Sequence, residues 1–87
     1  MDAIGRRLGL TRAVLGLQQN EFCEGAGIAP NTYNQYEKGK KRPSFQNAIR
    51  LCEAYDLTLD WIFRGDPSGL LHKHADAIQK LRIARSQ

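Results

Sequence analysis

Glycine and proline break this chain at short intervals, and that punctuation limits what it can become. Gly16, Gly27, Gly39, Gly65 and Gly69 stand as stops, and Pro30, Pro43 and Pro67 as starts. Between them no segment alternates apolar and polar residues for more than a few positions. Apolar residues recur instead at steps of three and four, so the segments read as short helices. With 87 residues the chain has room for one small domain and a thin core.

The first helix covers about residues 2–15, with Ile4, Leu8, Thr11 and Leu15 inward and Leu10 with Val14 on a second partial stripe. Gly5 and Gly9 each lower its intrinsic propensity by up to about 1 kcal/mol, so tertiary packing has to hold it. A second helix covers 18–25 and a third 30–38, where Pro30 suits the first turn because its missing N–H is not needed there. The fourth opens at Pro43-Ser44 with Ser44 as N-cap, and Phe45, Ala48, Leu51, Cys52 and Tyr55 follow at helical spacing. Thr58 caps a short fifth helix over 59–64, which Trp61 anchors and Gly65 closes. Asp66-Pro67-Ser68-Gly69 forms a turn. A sixth segment over 70–84 has Leu71, Ala75, Ile78 and Arg82 on one face and Leu70, Ala77, Leu81 and Ala84 on another, a broad, weak apolar band that docks, pairs with a second copy or frays. The expected organisation is a domain at 1–65 and an extension at 66–87.

Composition removes several classes of function. No apolar run approaches the roughly 18 residues of a membrane span, and the N-terminus lacks the apolar stretch of a secretory signal. Cys23 and Cys52 belong to no CxxC pair, and with His72 and His74 they are too scattered for a zinc site, which needs about four ligands. Two buried thiols in a reducing cytoplasm are expected, with no metal and no cofactor. Ser44 and Ser68 lie in no nucleophile elbow, and no glycine-rich loop cradles a phosphate. His72 and His74 point about 200° apart on a helix. Neither enzyme activity nor a small-molecule substrate is expected.

Thirteen Lys and Arg against nine Asp and Glu leave a net charge of +4. Such an excess permits nucleic acid without requiring it, so placement decides. The dense basic cluster is Lys38-Gly39-Lys40-Lys41-Arg42, immediately after the third helix, while Arg6, Arg7 and Arg12 of the first helix are expected on a solvated face. The third helix and the second meet at Gly27, which can take a positive φ. Phe22, Cys23, Ala26, Ile28, Tyr33 and Tyr36 fall on the inward positions, fitting two helices crossed steeply over a small core. Outward stand Gln18, Gln19, Asn31, Thr32, Asn34 and Gln35, polar and uncharged. Taken alone they make an ordinary solvated face. Beside a basic loop they make a reader: Asn and Gln amides match adenine N6 and N7 in the major groove, and the cations reach flanking phosphates.

At this point the sequence resembles the Cro and cI phage repressors, the XRE-type helix-turn-helix family, over about residues 4–65. The marks are Ile4-Gly5, then Gly16-Leu17-Gln18-Gln19, Gly27-Ile28, Tyr36-Glu37-Lys38-Gly39, Arg42-Pro43-Ser44 and Leu57-Thr58-Leu59-Asp60-Trp61-Ile62-Phe63-Arg64-Gly65, in that order. The resemblance implies an all-α, five-helix, lambda-repressor-like domain with its helix-turn-helix at helices 2 and 3, here followed by the sixth segment. It implies a double-stranded DNA partner, bound as a homodimer on a palindromic operator by a transcriptional regulator, most often a repressor.

By the same resemblance, Pro30, Asn31 and Gln35 match base-facing positions, with Ala29 and Asn34 beside them. Gln19 braces the reader helix and meets the DNA backbone; Gln18, Thr32, Lys38, Lys40, Lys41 and Arg42 join it there. Glu37 matches an acidic residue that holds the fold. The sequence departs from the pattern in three places. Gln18 stands where Ser or Thr usually caps, Thr11 takes a usual leucine slot, and Pro30 removes a side chain that would read a base. A protein–protein module on the same scaffold, such as an antitoxin or antirepressor-like adaptor, remains the competing expectation.

Overall fold

A computed structural model describes residues 3–85. Among them six helices follow one another: α1 (Ala3–Val14), α2 (Gln19–Gly25), α3 (Pro30–Glu37), α4 (Phe45–Tyr55), α5 (Asp60–Arg64) and α6 (His72–Arg85). The architecture is all-α, a helix-turn-helix within a lambda-repressor-like bundle. The residues before Ala3, including Asp2 of the expected first helix, lie outside the described part.

The apolar stripe of α1 explains its central place. Ile4, Leu8, Leu10 and Thr11 are buried, and α1 packs against α3, α5 and α6. Gly5 is the residue that allows this. A Cβ there would stand 2.5 Å from the Tyr36 carbonyl oxygen and 2.6 Å from that of Glu37. The glycine read as a propensity cost is therefore what lets the α1 backbone rest on the end of α3. Leu15, expected on the inward stripe, is only half-buried against the core.

Thr11 is not a weakened leucine. Its Oγ1 donates to the Arg7 carbonyl at 2.7 Å and accepts from Trp61 Nε1 at 2.9 Å. A buried indole N–H needs such a partner, and an apolar side chain at position 11 could not supply it.

Local signals place the other elements. Ser44 Oγ accepts from the Asn47 N–H at 3.1 Å and caps α4. Thr58 Oγ1 accepts from the Trp61 N–H at 3.0 Å. The segment it caps is a single π-helical turn, Asp60–Arg64, rather than the α-helix expected over 59–64, and Gly65 ends it with φ +76. Ala48 and Leu51 of α4 are buried, but Phe45 is 69% exposed, against the inward position its spacing suggested. It occupies the first residue of the helix, outside the core that Ala48 reaches.

The sixth segment docks on its own chain. Leu70 and Ile78 are buried, Ala75 and Leu81 pack beside them, and α6 lies along α1. Leu71, expected on one face with Ala75 and Ile78, is exposed.

Candidate nucleic-acid interface

The turn between α2 and α3 is set by Gly27, whose φ is +72. A branched or bulky residue avoids that region, and glycine enters it freely. The Ile28 N–H then bonds back to the Cys23 carbonyl at 2.8 Å, and Ile28 drops into the core beside Phe22 and Cys23. Ala29 is extended, as a residue before proline prefers, and Pro30 opens α3. Tyr33 and Tyr36 point inward; the Phe22 and Tyr33 rings meet edge to face at 5.4 Å. The inward set read from the sequence is thus buried as a group. At the start of α2, Glu21 accepts from the Gln18 N–H at 2.9 Å, so Gln18 takes part in capping without Ser or Thr at its position.

The reader helix is held by a carboxylate. Glu37 Oε2 accepts from Arg12 Nε at 2.7 Å and from the Tyr33 hydroxyl at 2.5 Å. Its Oε1 accepts from Arg12 Nη2 at 3.1 Å and from Gln19 Nε2 at 3.0 Å. Gln19 Oε1 in turn accepts from Asn34 Nδ2 at 3.0 Å. Three helices thereby converge on one acid. Burial pushes the Glu37 carboxyl up, but the bonds from Arg12, Tyr33 and Gln19 outweigh it and hold it below the ordinary carboxylate range. Burial, with the adjacent carboxylate, pushes the Tyr33 phenol far up, so Tyr33 stays a donor.

Arg12 was expected on a solvated face; it is instead a structural partner, and Arg12 Nη1 also reaches the Leu17 carbonyl at 3.0 Å. Sequence reasoning missed it because its partner is 25 residues away. A basic residue beside the inward stripe of α1 was the signal available. Asn47 was missed too: its Nδ2 donates to the Tyr36 hydroxyl at 2.9 Å, tying α4 to α3.

The outward residues fall into three settings. Ala29, Pro30 and Asn31 are exposed at the start of α3, while Thr32 and Gln35 are half-buried along it. Asn34 is half-buried, with its amide nitrogen engaged by Gln19. Gln18, Lys38, Lys40, Lys41 and Arg42 are all exposed. The basic loop does not hang free of the helix. The N–H groups of Lys40 and Lys41 donate to the Gln35 carbonyl at 3.0 and 3.3 Å, so the backbone that carries these side chains is anchored at the C-terminal end of α3. Amides along one side and cations at the end are what groove reading and phosphate contact require. Among the described residues, no group of three His, Cys, Asp or Glu could hold a metal, and no helix is long and apolar enough to cross a membrane.

Comparison with known proteins agrees with this geometry. A family profile described as helix-turn-helix matches residues 7–62. The cryptic phage CTXphi transcriptional repressor RstR of Vibrio cholerae serotype O1 is 26% identical over 57 residues, 66% of this chain and 51% of that protein. The chain therefore spans about half the length of this relative. No solved structure matches at the same stringency. With residues 7–62 matched and the crossed helices, the Gly27 turn and the braced third helix in place, the chain belongs to the helix-turn-helix family.

Proposed function

We propose that the protein is a repressor that binds a palindromic operator as a homodimer and acts by occupancy. Asn31 and Gln35 read base edges, with Ala29, Pro30 and Asn34 beside them on the same helix. Gln18, Gln19, Thr32, Lys38, Lys40, Lys41 and Arg42 contact the backbone. The observation that carries this reading is the anchoring of the basic loop on the Gln35 carbonyl, which gives reader and phosphate grip one fixed relation. Half-sites of such proteins recur about 34 Å apart. A protomer with extents of 31 × 25 × 22 Å has a suitable size to place two third helices at that spacing.

Selection of bound duplexes from a random library, followed by salt titration, tests it. A recovered inverted repeat bound well above random DNA supports the reading. Equal affinity for selected and random duplexes overturns it. Sedimentation tests the dimer: a strict monomer at about 100 µM, both free and on the selected duplex, overturns that part.

A further inference from the structure

The loop between α3 and α4, residues 38–44, carries Lys40, Lys41 and Arg42, and its two ends are held differently. At the near end the Lys40 and Lys41 N–H groups bond to the Gln35 carbonyl. At the far end Ser44 Oγ accepts from the Asn47 N–H at 3.1 Å. The Asn47 side chain then turns back across the base of the loop, where its Nδ2 donates to the Tyr36 hydroxyl at 2.9 Å. One residue thus holds the last residue of the loop through its backbone and α3 through its amide. The other end of that amide is engaged as well. Asn47 Oδ1 accepts from Arg50 Nη1 at 3.3 Å, and the same nitrogen reaches the Gly27 carbonyl at 3.4 Å. A guanidinium can only donate, so it fixes which end of the amide faces Tyr36. Tyr36 is buried, and its ring meets that of Tyr33 edge to face at 6.2 Å, so the acceptor has a fixed place.

We propose that Asn47 is a positioning residue for DNA recognition: it holds the loop that carries Lys40, Lys41 and Arg42 in one relation to the face of α3 that carries Asn31 and Gln35. The inference rests on the DNA reading above. Both ends of the Asn47 amide are engaged within the protein, so Asn47 acts through the loop and not by touching a base. Among the described residues, the close helix contacts of α3 are with α1 and α2 rather than with α4. A side-chain tie is therefore what sets how α4, and the loop that enters it, stand against the reader helix. Phosphate contacts fix the register of a protein on its duplex. A specific complex needs the cations and the reading face in one arrangement, and ordering a loosened loop into it costs free energy. A random duplex accepts many arrangements, so its binding loses little.

The test measures affinity for the selected duplex and for a random one, with each variant shown to be folded at the assay temperature by circular dichroism. Asn47→Ala and Tyr36→Phe remove the two halves of the tie. Each should lower the ratio of selected to random affinity by about fivefold or more and leave random affinity within about twofold of the parent. The double variant should lower the ratio no further than either single one, because all three lose the same bond. Asn47→Asp is the conservative rescue: its carboxylate can accept from both the Tyr36 hydroxyl and Arg50. Its added negative charge should weaken binding to both duplexes alike, with the ratio kept within about twofold of the parent. An unchanged ratio in Asn47→Ala overturns the proposal, as does an equal loss on both duplexes, which a merely structural role would give. Additive losses in the double variant, or a ratio lost equally in Asn47→Asp, also overturn it. A parent that binds selected and random duplexes equally overturns the DNA reading itself, and the inference with it.

Discussion

Arg12 and Glu37, 25 residues apart in sequence, meet through two hydrogen bonds of 2.7 and 3.1 Å, one to each carboxylate oxygen. This fork joins the first helix to the end of the third. Because Gln19 and Tyr33 bond to the same carboxylate, the pair also fixes how α2 and α3 cross. The geometry of the reader helix is thus set by one acid outside the DNA-facing surface.

A double-mutant cycle measures that pair. Arg12→Ala leaves a largely buried carboxylate without its cation, and Glu37→Ala leaves Arg12, Gln19 and Tyr33 without their shared acceptor. Each should destabilise the fold by about 2 kcal/mol, with a coupling of about 1–3 kcal/mol because both break the same contact. Urea unfolding of the four proteins checks it; additive losses would show that the pair contributes nothing of its own.

The same carboxylate predicts an acid limb. The folded protein holds the Glu37 pKa below its ordinary value of 4.5, so the folded state binds that proton less readily than the unfolded chain. The stabilisation is complete above the unfolded value and is lost as pH falls through the lower, folded one. Stability of the parent should fall below about pH 4.5, and Glu37→Gln should start lower and fall less steeply over that window. Denaturant midpoints between pH 3 and pH 6, at constant ionic strength, test this. Parallel curves would place the acid limb on other carboxylates.

What could be read in the sequence was local. The Ser44 and Thr58 caps, the Gly27 turn and the inward set from Phe22 to Tyr36 follow from rules that span a few residues, and the structure shows each in place. What could not be read was paired over distance. Arg12 looked like a solvated charge and Thr11 like a poor core residue, because their partners Glu37 and Trp61 lie 25 and 50 residues further on. Periodicity also misplaced Phe45, which has the right spacing from Ala48 but sits on the first, open turn. The docking of α6 was one of three open outcomes because its apolar band is weak.

Two glycines of α1 should respond to alanine with opposite signs. At Gly5 the added Cβ meets backbone oxygens of Tyr36 and Glu37 that cannot move alone, so Gly5→Ala should cost about 1–3 kcal/mol despite its better propensity. At Gly9 the nearest atom is a Glu37 carboxylate oxygen at 3.4 Å, an ordinary contact. Gly9→Ala should therefore stabilise by up to about 1 kcal/mol. Thermal melts of the two variants settle the matter. Two losses would mean that α1 is as closely seated at Gly9 as at Gly5.

On DNA, Gln35 and Lys40 should separate specificity from affinity. Gln35→Ala removes an amide from the proposed reading face while leaving the carbonyl that anchors the loop. It should reduce discrimination between selected and random duplexes by about 1–3 kcal/mol. Lys40→Ala should weaken binding to both alike and lower the salt slope by about 1. Salt titrations of each variant on both duplexes supply the numbers, and a loss of discrimination in Lys40→Ala instead would reverse the assignment.

Thr11 offers a test that its size does not confuse. Thr11→Val keeps the shape but removes the oxygen that accepts from Trp61 Nε1, leaving a buried N–H unpaired at about 1–3 kcal/mol. Thr11→Ser keeps the oxygen and loses one buried methyl, worth about 1 kcal/mol. If the hydroxyl is there for the indole, valine is the more damaging of the two, although it preserves more apolar contact. Urea midpoints followed by Trp61 fluorescence and by circular dichroism give the order. Serine below valine would mean that packing alone selects the residue at position 11, and that the Trp61 N–H finds another acceptor when the hydroxyl is gone.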